Sequence, residues 1–152
     1  MKQNSKKGYT LLEVMMVVVI VGILAAVAVP NMSGWQARRE LNSASRDIAS
    51  MLQQARSEAV RRNMVVWVEF DSGSRTYLMR TNTLILVPAK TLPQGISFSA
   101  INNFASNRAR FTNRGFAEAQ GDVRIRVTAR PDNDLWRRQI SLTLGGSISI
   151  TP

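Results

Sequence analysis

Neither cysteine nor histidine occurs anywhere in the 152 residues. Their joint absence removes the thiolate nucleophile, the imidazole base, the Ser-His pair and the usual zinc ligand set, and no disulfide can support the fold. Acids are also scarce, ten against twenty lysines and arginines, giving a formal charge of +10. The carboxylates that remain are not arranged for chemistry. Asp132 and Asp134, in Pro131-Asp132-Asn133-Asp134, lack the glycine and distal glutamate of an EF-hand and read as a polar turn. Asp71-Ser72-Gly73-Ser74 reads as a second turn, because Asp and Gly meet its backbone demands. The sequence thus presents no catalytic residue, cofactor or metal site, and it points to binding or assembly rather than to an enzyme. Its length suits one domain.

What the chain does have is a long apolar run, Leu11 to Val29, interrupted near its start by Glu13 and preceded by Lys2, Lys6, Lys7 and Gly8. At about 1.5 Å per residue the run covers most of a hydrocarbon core about 30 Å thick. The lysines orient such a segment with its N-terminus in the cytoplasm and the rest outside. A carboxylate in hydrocarbon costs roughly 2.5 to 3.5 kcal/mol, so Glu13 calls for a partner or a function, unless it is a charge tolerated near a helix end.

The lysine leader, Gly8 and Tyr9-Thr10-Leu11-Leu12-Glu13, leading into Val14 to Val29, resemble the class III signal of type IV pilins and pseudopilins. The resemblance implies that a prepilin peptidase cuts between Gly8 and Tyr9, methylates the new amine and leaves the apolar segment in place. Tyr9 stands where the family most often has phenylalanine. An ordinary secretory signal would instead be cut behind its apolar core, near Ala25 to Ala28. After the pilin-type cut, the Tyr9 amine lies about one helical turn from Glu13, and a neighbouring subunit's amine can reach the same carboxylate. Glu13 is then the expected determinant of filament assembly.

Beyond Val29, Pro30 removes a helix hydrogen bond and Gly34 loosens the backbone, so a kink is expected there. Leu41, Ala44, Ile48, Met51, Leu52, Ala55 and Ala59 then recur at spacings of three and four, with Arg38, Arg46, Gln53, Ser57 and Arg61 elsewhere on the wheel. Arg61 and Arg62 favour a last turn that Asn63 caps. From Met64 the period changes to alternation. Met64–Phe70 and Arg75–Arg80 read as a hairpin, Leu84–Val87, Ile96–Ser99 and Arg108–Thr112 as short strands, Val123–Arg130 with Trp136–Leu144 as the clearest pair, and Ser147–Ile150 as a last strand.

Leu41-Asn42-Ser43-Ala44, Gln54-Ala55-Arg56-Ser57-Glu58-Ala59 and Arg61-Arg62-Asn63 are similar to the GspH/FimT family of minor pseudopilins and minor pilins. The resemblance implies an α+β, pilin-like fold. A long kinked N-terminal helix, its first half embedded in the membrane, packs on a C-terminal antiparallel β domain. The divisions are a removed leader (1–8), a transmembrane or filament-core helix (9–30), its amphipathic second half (31–63) and a periplasmic β domain (64–152). The implied setting is the bacterial inner membrane, crossed once, and then the filament. The implied partners are other pseudopilins or pilins, the prepilin peptidase and membrane lipids.

GspH-type members sit at the tip of a type II secretion pseudopilus, whereas FimT-type members belong to type IV pili and some bind DNA. Charge bears on this choice. Without Lys2, Lys6 and Lys7 the chain keeps seventeen basic against ten acidic side chains, or +7. Alternation sends Arg124, Arg126 and Arg130 to one face of their strand and Arg137, Gln139, Ser141 and Thr143 to the outer face of the next, with Ile140, Leu142 and Leu144 inward. Arginines two residues apart stand about 7 Å apart, a spacing compatible with successive phosphates. Arg124, Arg126, Arg130, Arg137 and Arg138 are therefore the candidate nucleic-acid or partner-binding residues, which Arg108, Arg110 and Arg114 would widen. The bland alternative is a solvated face meeting acidic neighbours or headgroups. The C-terminal Gly-Arg-x-Arg element of DNA-binding relatives is replaced here by Gly145-Gly146-Ser147-Ile148.

Overall fold

The computed structural model describes residues 9–130 and 133–152, without the side chains of residues 26–33. Gly8, the leader lysines, Pro131, Asp132 and the Pro30 ring lie outside the described residues. Helix α1 covers Leu11–Arg62, and its helical backbone runs through Pro30 without a break. The molecule resolves into two compact units, Met1–Gln36 and Ala37–Pro152, so the second half of α1 belongs with the β domain.

In the first unit, Thr10 starts the helix. Its hydroxyl accepts the Glu13 N–H at 3.2 Å, and its carbonyl accepts the Val14 N–H at 3.3 Å. This satisfies one of the four N–H groups that every helix start leaves without a helical partner. From Leu11 to Leu24 every residue except Glu13 and Gly22 is a large apolar side chain between 48% and 79% exposed. Among the described residues no helix is long and apolar enough to cross a membrane, and of the run from Leu11 to Val29 the side chains are described as far as Ala25.

In the second unit, the expected stripe is the buried face of the helix. Leu41, Ala44, Ile48, Met51, Leu52, Ala55 and Ala59 are all buried, joined by Ser45, whose hydroxyl donates to the Asn42 carbonyl at 2.9 Å. The helix ends as a Schellman motif, with Asn63 at φ 53°, its N–H on the Val60 carbonyl and the Met64 N–H on the Ala59 carbonyl. Inside that last turn, Glu58 accepts from Arg61 at 2.6 and 2.7 Å and from Arg62 at 2.6 Å.

Eight strands follow: β1 Val66–Asp71, β2 Thr76–Arg80, β3 Ile85–Thr91, β4 Ile96–Asn102, β5 Arg108–Phe111, β6 Gly121–Val127, β7 Arg137–Leu142 and β8 Ile148–Thr151. They form two four-stranded antiparallel sheets, ordered β3-β2-β1-β5 and β4-β6-β7-β8. The inward residues of the first sheet (Val66, Val68, Phe70, Met79, Phe111) and of the second (Val123, Ile125, Ile140, Leu142) share one core with the helix stripe.

Three strand expectations need correction. Strand β3 continues through Pro88 to Thr91, because an edge strand can present a residue without an N–H toward open space. Strand β6 stops at Val127, whose N–H donates to the Trp136 carbonyl, and the chain then turns, with the Arg130 N–H back on Val127. Strand β7 stops at Leu142, so the alternation that would bury Leu144 ends first, and Leu144 is exposed. Gly146, in the following turn, adopts φ 76°, and a Cβ there would stand 2.5 Å from the Gly115 carbonyl oxygen. Its own carbonyl accepts from Arg56 at 3.0 Å, which ties this turn to the helix.

The Glu58 carboxyl is held below its ordinary value of 4.5 by the hydrogen bonds from Arg62 and then Arg61. A carboxyl depressed in the folded state adds stability above its unfolded pKa and loses it as pH falls through the lower folded value. Glu58→Gln is therefore expected to flatten the acid limb of a plot of Tm against pH below about 4.5, while matching wild type in slope above it. An unchanged acid limb would remove Glu58 from the account. Asp71 titrates in the same direction, its carboxylate held low by the Ser74 hydroxyl and the Ser74 and Gly73 N–H groups, so part of the limb persists.

Candidate functional site

The site residues expected from sequence fall in two places. Tyr9 and Glu13 stand at the start of α1, Tyr9 outside the helix and 84% exposed, and Glu13 exposed in the first turn. With Val14 and Val17 they line a shallow concavity of about 270 Å³. An acid in the first turn is favoured by the helix dipole and by its Thr-x-x-Glu spacing, a local reason for Glu13 beside any intersubunit pairing. The missed residue is Thr10. Its signal was the Thr10-Leu11-Leu12-Glu13 spacing of a capping box.

The arginines separate into a face and two fasteners. On the outer face of the second sheet, β6 and β7 set Arg126 directly opposite Arg137 and Arg124 opposite Gln139. Arg124 Nε donates to Gln139 Oε1 at 3.1 Å and pairs with Asp122 at 3.1 Å, and Arg137 pairs with Asp134 at 2.7 Å. Arg126 has no ion pair among the described residues, and its buried Nε has no hydrogen-bond acceptor. Like charges directly opposite across a ladder are destabilising, and Asp134 answers only Arg137, so among the described residues Arg126 is the member of the pair left for an outside anion.

Arg138 and Arg130 leave that face. Arg138 is on the helix side of β7, its Nε on Asn42 Oδ1 at 3.0 Å and its terminal nitrogen on the Asp134 and Arg137 carbonyls. Arg130 lies in the turn, its guanidinium 4.9 Å from the Trp136 ring centre, with Arg38 5.3 Å from the same ring. Arg108 and Arg110 do not widen the patch either, because β5 pairs with β1 in the other sheet. The expected five-arginine surface is thus three, Arg124, Arg126 and Arg137. Among the described residues no group of His, Cys, Asp or Glu is placed to hold a metal ion.

A long N-terminal helix, apolar all round at its start and amphipathic where it packs on antiparallel sheet, defines the pilin class of proteins. A profile for the prokaryotic N-terminal methylation motif matches residues 3–29, and the profile described as Type II transport protein GspH matches residues 44–146. The chain belongs to the GspH family. Among solved structures, the type IV minor pilin FimU of Pseudomonas aeruginosa aligns over 78% of this chain and 92% of its own, with TM-score 0.59 and 21% identity. The minor pseudopilin EpsH of the Vibrio cholerae type 2 secretion system aligns over 74% and 95%, with TM-score 0.57 and 12% identity. These likenesses establish the fold. In sequence, the pilin-like protein PilA1 of Thermus thermophilus is 38% identical over 76 residues, which is 49% of this chain and 47% of that protein. The type II secretion system core protein G of Vibrio cholerae is 46% identical over 50 residues, 33% of this chain and 34% of that one. The chain thus spans about half the length of the first relative and about a third of the second.

Proposed function

We propose that the chain is a minor pseudopilin that assembles into the tip of a periplasmic pseudopilus for type II protein secretion. A prepilin peptidase removes residues 1–8 and methylates Tyr9. Until assembly, the apolar helix anchors the protein in the inner membrane, with the β domain in the periplasm. The observation that carries this reading is the helix from Leu11 to Leu24, apolar on every side and exposed, with Glu13 as its one charge. A helix of that kind needs lipid or other helices around it. Membership of the GspH family supports the secretion setting. The test is the mass of the chain purified from its own cells, together with its recovery with sheared filaments and other pseudopilins. A methylated chain beginning at Tyr9 in the filament fraction is expected. A chain cut near Ala25 to Ala28, or absent from filaments, would overturn the reading.

The opposed Arg126 and Arg137, with Arg124 beside them, favour a second reading, a FimT-like minor pilin that binds DNA for uptake. Phosphate binding would make log K fall linearly with log salt, at about 0.9 per phosphate neutralised. Arg124→Ala, Arg126→Ala and Arg137→Ala are each expected to reduce that slope by about 0.9 on duplex DNA. Slopes equal to wild type, or no binding at low salt, leave this face to acidic surfaces of neighbouring subunits.

A further inference from the structure

The outer face of the first sheet carries a cluster that the assembly reading does not use. Trp67 on β1 lies opposite Arg80 of β2 and Arg110 of β5, with Arg108 one diagonal away. Their guanidinium carbons stand 5.8, 5.4 and 5.8 Å from the Trp67 ring centre, in the order Arg80, Arg110, Arg108. Two carboxylates answer these three cations. Glu69 pairs with Arg108 and Glu118 with Arg110, both at 3.2 Å, while Arg80 pairs with no acid among the described residues and donates to the Thr81 carbonyl at 3.3 Å. The Arg110–Glu118 pair is 43% and 38% exposed, and a surface pair of this kind is worth little and readily exchanges its acid.

Beside the cluster opens a concavity of about 480 Å³. Met64, Val65 and Trp67 give it an apolar lining, completed by Asn82 and Thr83 of the β2–β3 loop and by Arg110. Met64 is 44% exposed although it immediately follows the helix cap, and the Trp67 indole N–H has no acceptor. Tryptophan and arginine around a partly desolvated hollow are the composition of interface hot spots.

We propose that this groove recognises a peptide segment of a partner protein in which a large apolar side chain is flanked by carboxylates. The apolar side chain seats on Met64, Val65 and Trp67. The carboxylates take Arg80, which has no acid of its own among the described residues, and Arg110, which exchanges Glu118 for the incoming group. Three arginines against two glutamates leave the cluster positive, and charge complementarity selects an acidic occupant. Nucleic acid fits this face less well. Trp67 is only 7% exposed under its arginines, so its ring face offers no platform on which a base could stack. The inference rests on the folded β domain and is independent of filament assembly.

The full chain, in detergent micelles with its tryptophan indoles labelled with ¹⁵N, reports on the site through the Trp67 N–H signal, with Trp35 and Trp136 as internal references. The probes are a synthetic Asp-Phe-Glu-Leu-Glu peptide blocked at both ends, its Asn/Gln counterpart, and oligothymidylate. The acidic peptide is expected to shift the Trp67 signal alone. Affinity should fall at least tenfold for the amide peptide and for Arg80→Gln/Arg110→Gln. Thr83→Tyr, which fills the groove from its exposed rim, should abolish the shift, while Glu13→Ala leaves it intact. Three results would overturn the proposal: no shift at about 1 mM peptide, equal binding of the amide peptide, or an equal response to oligothymidylate.

Discussion

Glu13→Ala is expected to yield a chain that is processed and folded but fails to enter filaments. The helix start survives the substitution, because Thr10 receives a backbone N–H that alanine also carries. What the helix loses locally is the favourable acid in its first turn, about 0.3 to 1 kcal/mol. Assembly is affected more severely. In the proposed filament, where Glu13 would pair with the Tyr9 amine among packed apolar helices, its removal leaves an uncompensated charge, at about 3 to 5 kcal/mol. At about 1.4 kcal/mol per factor of ten, incorporation falls by roughly a hundredfold or more. The measurement is the ratio of filament-bound to membrane-bound chain, with the mass of the mature N-terminus as control. A ratio equal to wild type would show that Glu13 serves only the helix start.

The second large effect concerns the domain. Phe111 is fully buried on β5, where it pairs with Val66 and bridges Ala117. Phe111→Ala empties a ring's volume where helix stripe and first sheet meet, and such truncations cost about 3 to 5 kcal/mol. Against a total stability of about 5 to 15 kcal/mol that is a large fraction, equivalent to a Tm lower by roughly 10 to 20 °C for a unit of this size. Thermal unfolding followed by circular dichroism measures it. A drop under about 3 °C would mean that the neighbouring side chains collapse into the space.

How much of this was legible in the sequence depended on whether local rules decided the outcome. The helix stripe from Leu41 to Ala59 was readable because a period of 3.6 repeats over five turns, and the Asn63 cap because few other residues tolerate positive φ. The β1–β2 and β6–β7 hairpins were readable from alternation around turns marked by Asp71-Ser72-Gly73-Ser74 and Pro131-Asp132-Asn133-Asp134. Strand ends were not, since a ladder stops where its partner stops: β6 ends with the Val127 bond to Trp136, a contact the sequence around Arg130 does not encode. The same limit governed the arginines. Alternation placed Arg124, Arg126 and Arg137 correctly on one face, but only sheet order could assign Arg108 and Arg110 to the other sheet, beside Trp67. Arg138 sits one residue out of phase with the ladder and pins Asn42 of the helix instead.

The rims of the two sheets are unlike. Strand β3 has Pro88, which offers no N–H, Lys90, which resists burial beside another chain, and two register shifts against β2. These are the features by which natural edge strands refuse a further strand. Strand β8 has none of them between Ile148 and Thr151, and three of its four residues are exposed. Of the four edge strands, β3 is thus guarded against backbone-to-backbone growth, whereas β8 leaves a row of main-chain donors and acceptors that a further strand can meet, a difference that the charge pattern alone does not reveal.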